Sequence, residues 1–113
     1  MPPRRKCIPN VHRDAYVSSR RSSGISEVAV RVTERYIDEF LRFCDEDAGT
    51  TDVTLLGEEH IKAYAEKQRK VPAMKETTRQ KIREVLKWFD WLTEQEVIGR
   101  NCAQSLDIAK LIP

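Results

Sequence analysis

The sequence predicts an all-α protein, a compact bundle of four to five helices with no sheet. Three observations lead there. Apolar residues recur every three or four positions across two long stretches, Val28 to Cys44 and Ile82 to Leu92, which gathers them on one side of a helix. The 4 Gly and 5 Pro stand at the edges of these stretches and not within them. Runs of β-branched residues suited to strands are scarce. A chain of 113 residues, 40% hydrophobic and 34% charged, suits one domain with a modest core under a charged surface, and wholesale disorder is excluded.

The elements follow in order. Residues 1–9, with Pro2, Pro3 and Pro9, read as a flexible basic tail, and 10–113 as the helical domain. Asn10 caps a first helix, NVHRDAYVSSRR, with Val11, Ala15 and Tyr16 on its apolar side; Ser22-Ser23-Gly24 breaks it. Ser26, followed by Glu27, caps a second helix that runs to about Asp45. Its stripe is Val28, Val32, Tyr36, Phe40 and Cys44, joined by Ile37 and Leu41, with Arg31, Arg35 and Arg42 away from the centre. The tract DEDAGTTD ends it. Gly57 with Glu58 and Glu59 opens a third helix, which Leu56 staples against Ile61. Ile61, Tyr64 and Ala65 are its buried side, and Val71-Pro72 stops it.

A fourth helix, expected from near Thr77 to about Val97, is roughly 30 Å long at 1.5 Å per residue. Ile82, Val85, Leu86, Phe89 and Leu92 make it the central core helix, with Trp88 and Trp91 flanking the stripe and Gly99 at its C′ position. Asn101 caps a last short helix, CAQSLDIAK, with Leu106 and Ile108 apolar.

Several function classes are absent from the pattern. No apolar run approaches the roughly 18–20 residues that span a bilayer. No apolar segment follows the basic N-terminus, so the reading is a soluble cytoplasmic protein with no membrane contact. The cysteines, Cys7, Cys44 and Cys102, are too far apart for a metal pair, and Cys7 with His12 lacks two further ligands; no metal or cofactor is expected. Cys44 and Cys102 read as small hydrophobes. There is no glycine-rich phosphate loop, HExxH or nucleophile elbow, and His60 reads as a surface residue. No catalytic residue and no small-molecule substrate are expected.

Charge is segregated although the net value is only +2. Residues 1–25 hold six basic residues against Asp14, residues 62–87 hold nine against Glu66, Glu76 and Glu84, and 38–59 is acidic. This asymmetry points to a polyanionic partner. Arg79, Arg83 and Lys87 stand four apart along one face of the fourth helix, flanked by Lys75 and Lys81. Thr77 and Thr78 lie at its first turn, where hydroxyls and free N–H groups grip phosphate. Such a face fits the major groove of duplex DNA. Glu84, at helical spacing from Lys81 and Lys87, assigns part of the stripe to surface ion pairs.

The order of motifs adds a family. An amphipathic helix ending in FLRF leads to LLGEEHIKAY, then TTRQKIREVLKWFDWL, VIGRNCA and a terminal LIP. Over residues 10–113 this set resembles the N-terminal, SAM-like core-binding domain of tyrosine recombinases, the phage-integrase family. The resemblance implies half of a clamp around DNA, with the catalytic residues on a separate C-terminal domain. It implies that the second and fourth helices face DNA, through Arg31 and Arg35 on one and Thr77, Gln80, Lys81, Arg83 and Lys87 on the other. Phe89, Trp91 and Leu92 match the family's aromatic core patch, and Asn101 an asparagine that normally precedes proline. Cys102 stands in that proline's place, and Ala29 and Thr33 stand where members often carry Thr and Tyr. Tyr16, Tyr36 and Tyr64 all fall within the helical module, and nothing resembling the catalytic domain follows them.

The expected function is duplex DNA binding by a non-catalytic domain of a recombinase or integrase, with other protomers as partners on DNA and residues 1–21 as a basic arm. A helical assembly module, marked by an exposed apolar patch at Trp88 or Leu111-Ile112, is the alternative. A third possibility is an intact recombinase whose catalytic domain lies beyond residue 113, since LIP resembles the start of the family's interdomain linker.

Overall fold

A computed structural model describes residues 10–101 and 103–113; the readings placed on the 1–9 tail, Cys7 and Cys102 lie outside them. The described residues form helices and turns with no strand: α1 (Val11–Ser22), α2 (Glu27–Phe43), a π-helical turn (Cys44–Ala48), α3 (Glu58–Arg69), α4 (Lys75–Glu94) and α5 (Ile108–Leu111). The all-α bundle is as expected. α4 is its axis, packed against α1, α2, α3 and α5.

Asn10 caps α1 as read: its Oδ1 accepts from the backbone N–H of His12 and of Arg13, each at 3.0 Å. Its amide also donates to Thr51 O at 2.9 Å, tying the start of α1 to the distant 50–56 loop. The buried side is Tyr16 and Val17, not Val11 and Ala15, which are exposed. Arg13 Nε and Nη2 fork onto the two carboxylate oxygens of Asp38 at 2.9 Å each, and Arg21 reaches Glu27 and Glu34. Residues 11–21 are therefore part of the bundle and not an arm.

Ser26 caps α2 by accepting from Ala29 N–H at 3.2 Å. The core stripe of α2 enters through Val30 and Thr33, while Val28 is exposed and Val32 half-buried. Val28 and Val32 follow the four-residue recurrence, but a helix turns 3.6 residues, so a strict four-residue ladder drifts off the buried side. Beyond Phe43 the chain widens into the π-turn and reverses at Gly49, whose φ of +72° suits glycine. α3 starts at Gly57 as read, with Leu56 and Ile61 both buried. His60 is not a bystander: its Nδ1 accepts from Gly57 N–H at 2.8 Å, half of a capping box.

α4 begins two residues earlier than expected, at Lys75, after the N-cap Met74, which has no capping side chain. The threonines are thus its third and fourth residues, not its cap. It ends at Glu94, and the left-handed residue is Glu96 (φ +59°), not Gly99. Val97 and Ile98 N–H then both donate to Leu92 O. Asn101 caps only a turn, accepting from Ala103 N–H at 2.9 Å, and Asp107 caps α5.

Ile82, Val85, Trp88, Phe89 and Leu92 are fully buried. Each contributes about 1.5–3 kcal/mol by leaving water. Phe40 meets Tyr64 and Phe89 edge-on at 5.2 and 6.1 Å, and Tyr16 meets Trp91 at 5.4 Å. The apolar patch expected at Trp88 and Leu111-Ile112 is not on the surface: Trp88 and Ile112 are buried and Leu111 packs against the core.

Burial has a consequence for pH. The Cys44 thiol and the Tyr16 phenol are both desolvated, and each pKa is pushed up to about 12. In the unfolded chain these groups ionise near pH ~8.5 and ~10. Above those values the unfolded state releases protons that the folded state keeps, so stability falls as pH rises towards 12. Each group is expected to remove up to about 1.4 kcal/mol per pH unit in that window. Urea midpoints at pH 8, 9 and 10 check this; a flat profile would contradict it.

Candidate nucleic-acid interface

The seam between α2 and α4 is set by a buried acid. Glu84 is 5% exposed, and its Oε2 accepts from the Thr33 hydroxyl at 3.3 Å while its Oε1 accepts from Gln80 Nε2 at 3.2 Å. Gln80 Oε1 in turn accepts from Arg83 Nη1 at 2.6 Å. Lys87 Nζ stands 4.0 Å from Glu84. A buried carboxylate needs such partners, and by taking them it fixes the register of the two helices.

Around this seam the predicted residues divide into two groups. Arg31 and Arg35 lie one turn apart on the outer side of α2, both exposed. The Arg31 side chain is 77% exposed, with Nε 4.0 Å from Glu27. The Arg35 guanidinium sits 5.2 Å over the Tyr36 ring, an arrangement that steadies the cation and leaves its donors available. On α4, the side chains of Arg83 and Lys87 are 38% and 47% exposed. Arg83 also lies 3.8 Å from Glu76. Lys75 and Thr77 are exposed at the start of the helix.

The second group faces inward. Arg79 Nε donates to Ile112 O at 3.0 Å and holds the C-terminal segment down. Lys81 has a side chain only 16% exposed, with Nζ 3.0 Å from Glu39, bonded to Gln68 at 3.3 Å and 6.0 Å from the Tyr36 ring. Gln80 spends both ends of its amide on Glu84 and Arg83. These three were expected to face DNA; Arg79 braces α4 against the chain's end and Lys81 against α2 and α3, while Gln80 supports Glu84 and Arg83 within α4. Thr78 is likewise buried, its hydroxyl donating to Met74 O at 3.4 Å. Four-residue spacing aligned Arg79 with Arg83 and Lys87, but it carries no information on which end of that line another segment covers.

Thr33 donates to Glu84 inside the seam. α2 therefore offers arginines alone. Arg20, read from the sequence only as part of the basic arm 1–21, lies with Lys87 across a cleft of about 270 Å³ between α1 and α4. Its buried Nε has no hydrogen-bond partner among the described residues. The cleft also holds Asp90 and Glu94, so its sign is mixed. All three tyrosines are buried, and desolvation raises the pKa of Tyr16 and, further, of Tyr64.

The fold and this surface define a small all-α bundle with exposed cations on two packed helices. No family model, curated protein or solved structure matches the chain. Among the described residues no helix is long and apolar enough to cross a membrane.

Proposed function

We propose that this chain binds duplex DNA as the non-catalytic core-binding domain of a site-specific tyrosine recombinase or integrase, in the cytoplasm and beside other protomers on the same DNA. The supporting observation is the pair of cation sets that core packing leaves outside, Arg31 with Arg35 on α2 and Arg83 with Lys87 on α4. The Thr33–Glu84–Gln80 network locks the helices that carry them, so little ordering is left to offset on binding. Phosphate contacts from these four residues supply most of the affinity, with Lys75 and Thr77 adding contacts at the start of α4. The recombinase element of the reading rests on the ordered motifs from FLRF to LIP.

The test compares two kinds of variant by fluorescence anisotropy with a mixed-sequence duplex. Arg31→Ala/Arg35→Ala is expected to weaken binding at unchanged melting temperature; Arg83→Ala/Lys87→Ala is expected to weaken binding and also to lower the melting temperature, because Lys87 and the Arg83–Gln80 bond support buried Glu84. Arg79→Ala is expected to lose roughly 1–2 kcal/mol of stability while affinity holds. Equal losses of affinity from all three would overturn the division between outer and inner cations.

A further inference from the structure

The connection between α3 and α4, KVPAMK over residues 70–75, has a composition that folding does not explain. Val71 is 41% and Met74 76% exposed. Met74 occupies the N-cap of α4, where Ser, Thr, Asp or Asn would serve the helix better, and it forms no side-chain cap bond. Pro72 stiffens the segment between the two apolar tips. Lys70 and Lys75 bracket it, both exposed and without an ion pair among the described residues, and Arg69 beside them is 46% exposed and paired with Glu66 at 3.1 Å. Glu76, next to Lys75 in the sequence, lies 3.8 Å from Arg83.

Exposed apolar tips on a stiff connection, bracketed by cations, match the chemistry of minor-groove binders, which neutralise phosphates on both sides and press an apolar side chain between base steps. The length of α4 agrees. Lys75 and Lys87 are twelve residues apart, ~18 Å along the helix axis, close to the half turn of B-DNA, roughly 17 Å, that separates a major groove from the next minor groove. We infer that residues 70–75 enter the minor groove next to the one that Arg83 and Lys87 face, with Met74 and Val71 as wedge and Lys70 and Lys75 on the flanking phosphates, and that the bound duplex is bent. This rests on the DNA-binding reading above.

The experiment uses the full chain and a mixed-sequence duplex of about 30 bp carrying a donor and an acceptor fluorophore at its two ends. Anisotropy reports binding and energy transfer reports bending in one titration. Wild type is expected to raise energy transfer at saturation. Val71→Ser/Met74→Ser, which keeps the charges and alters only exposed side chains, is expected to melt no lower than wild type, serine being the better cap for α4, and still to bind, without the rise. Binding by wild type with no change in transfer, or an equal rise with the variant, overturns the wedge and leaves the DNA-binding reading standing. No duplex binding by the folded protein overturns both. In that event, co-sedimentation with phosphatidylserine vesicles and not with neutral ones would assign the same tips and cations to a membrane surface.

Discussion

Trp88→Ala is expected to lose about 3–5 kcal/mol of stability. Trp88 is the largest of the fully buried side chains, and it meets Phe89 edge-on at 5.9 Å. Truncation removes the apolar area of the indole and leaves a cavity that the surrounding core can close only in part. Domains of this size hold about 5–15 kcal/mol in total, so the variant should be partly unfolded at 37 °C. Trp88 Nε1 has no hydrogen-bond partner among the described residues, so Trp88→Phe gives up packing and no polar contact. It is expected to cost less than half as much as the alanine variant. Urea denaturation of the two checks the pair; a loss under about 1 kcal/mol for Trp88→Ala would mean that the core is not organised around this residue.

The second large effect is on binding. Removing all four outer cations together, Arg31→Ala/Arg35→Ala/Arg83→Ala/Lys87→Ala, is expected to abolish most of the salt-sensitive affinity for duplex. Each phosphate contact contributes about 0.9 to the slope of log K against log salt, so four contribute about 3.6. Between 50 and 200 mM salt the wild type should therefore lose roughly 100-fold more affinity than the variant. None of the four is buried; the melting temperature should fall only by what Arg83 and Lys87 give to the Glu84 network, and the variant should remain folded. Anisotropy at the two salt concentrations measures the difference; equal salt dependence in both proteins would remove these residues from the interface.

Much of the fold is legible in the chain because helix periodicity is a local property. The stripe of α4 places Ile82, Val85, Phe89 and Leu92 inside, and Asn10, Ser26 and Gly57 mark three helix starts at the observed residues. The misreadings occur where tertiary contacts decide. Met74 starts α4 although it is a poor cap, since Thr77 and Thr78 already belong to the helix and Thr78 is packed inside. Glu96 takes the left-handed turn in place of Gly99 because Val97 and Ile98 N–H both close back on Leu92 O.

The candidate interface divides in the same way. Outer positions such as Arg31, Arg35, Arg83 and Lys87 follow from the helical wheel. The inward roles of Arg79 and Lys81 depend on Ile112, Glu39 and Gln68, which reach them from three other parts of the chain. Glu84 was legible only as a partner for Lys81 or Lys87. Its bond to Thr33, fifty-one residues away, needed the fold.

The most direct test of DNA binding is the affinity of the wild-type chain for a mixed-sequence duplex, measured from 50 to 200 mM salt. Four or more phosphate contacts predict a straight line of log K against log salt with a slope of about −4. A folded protein that shows no binding at the low-salt end, or binding that is indifferent to salt, would contradict it.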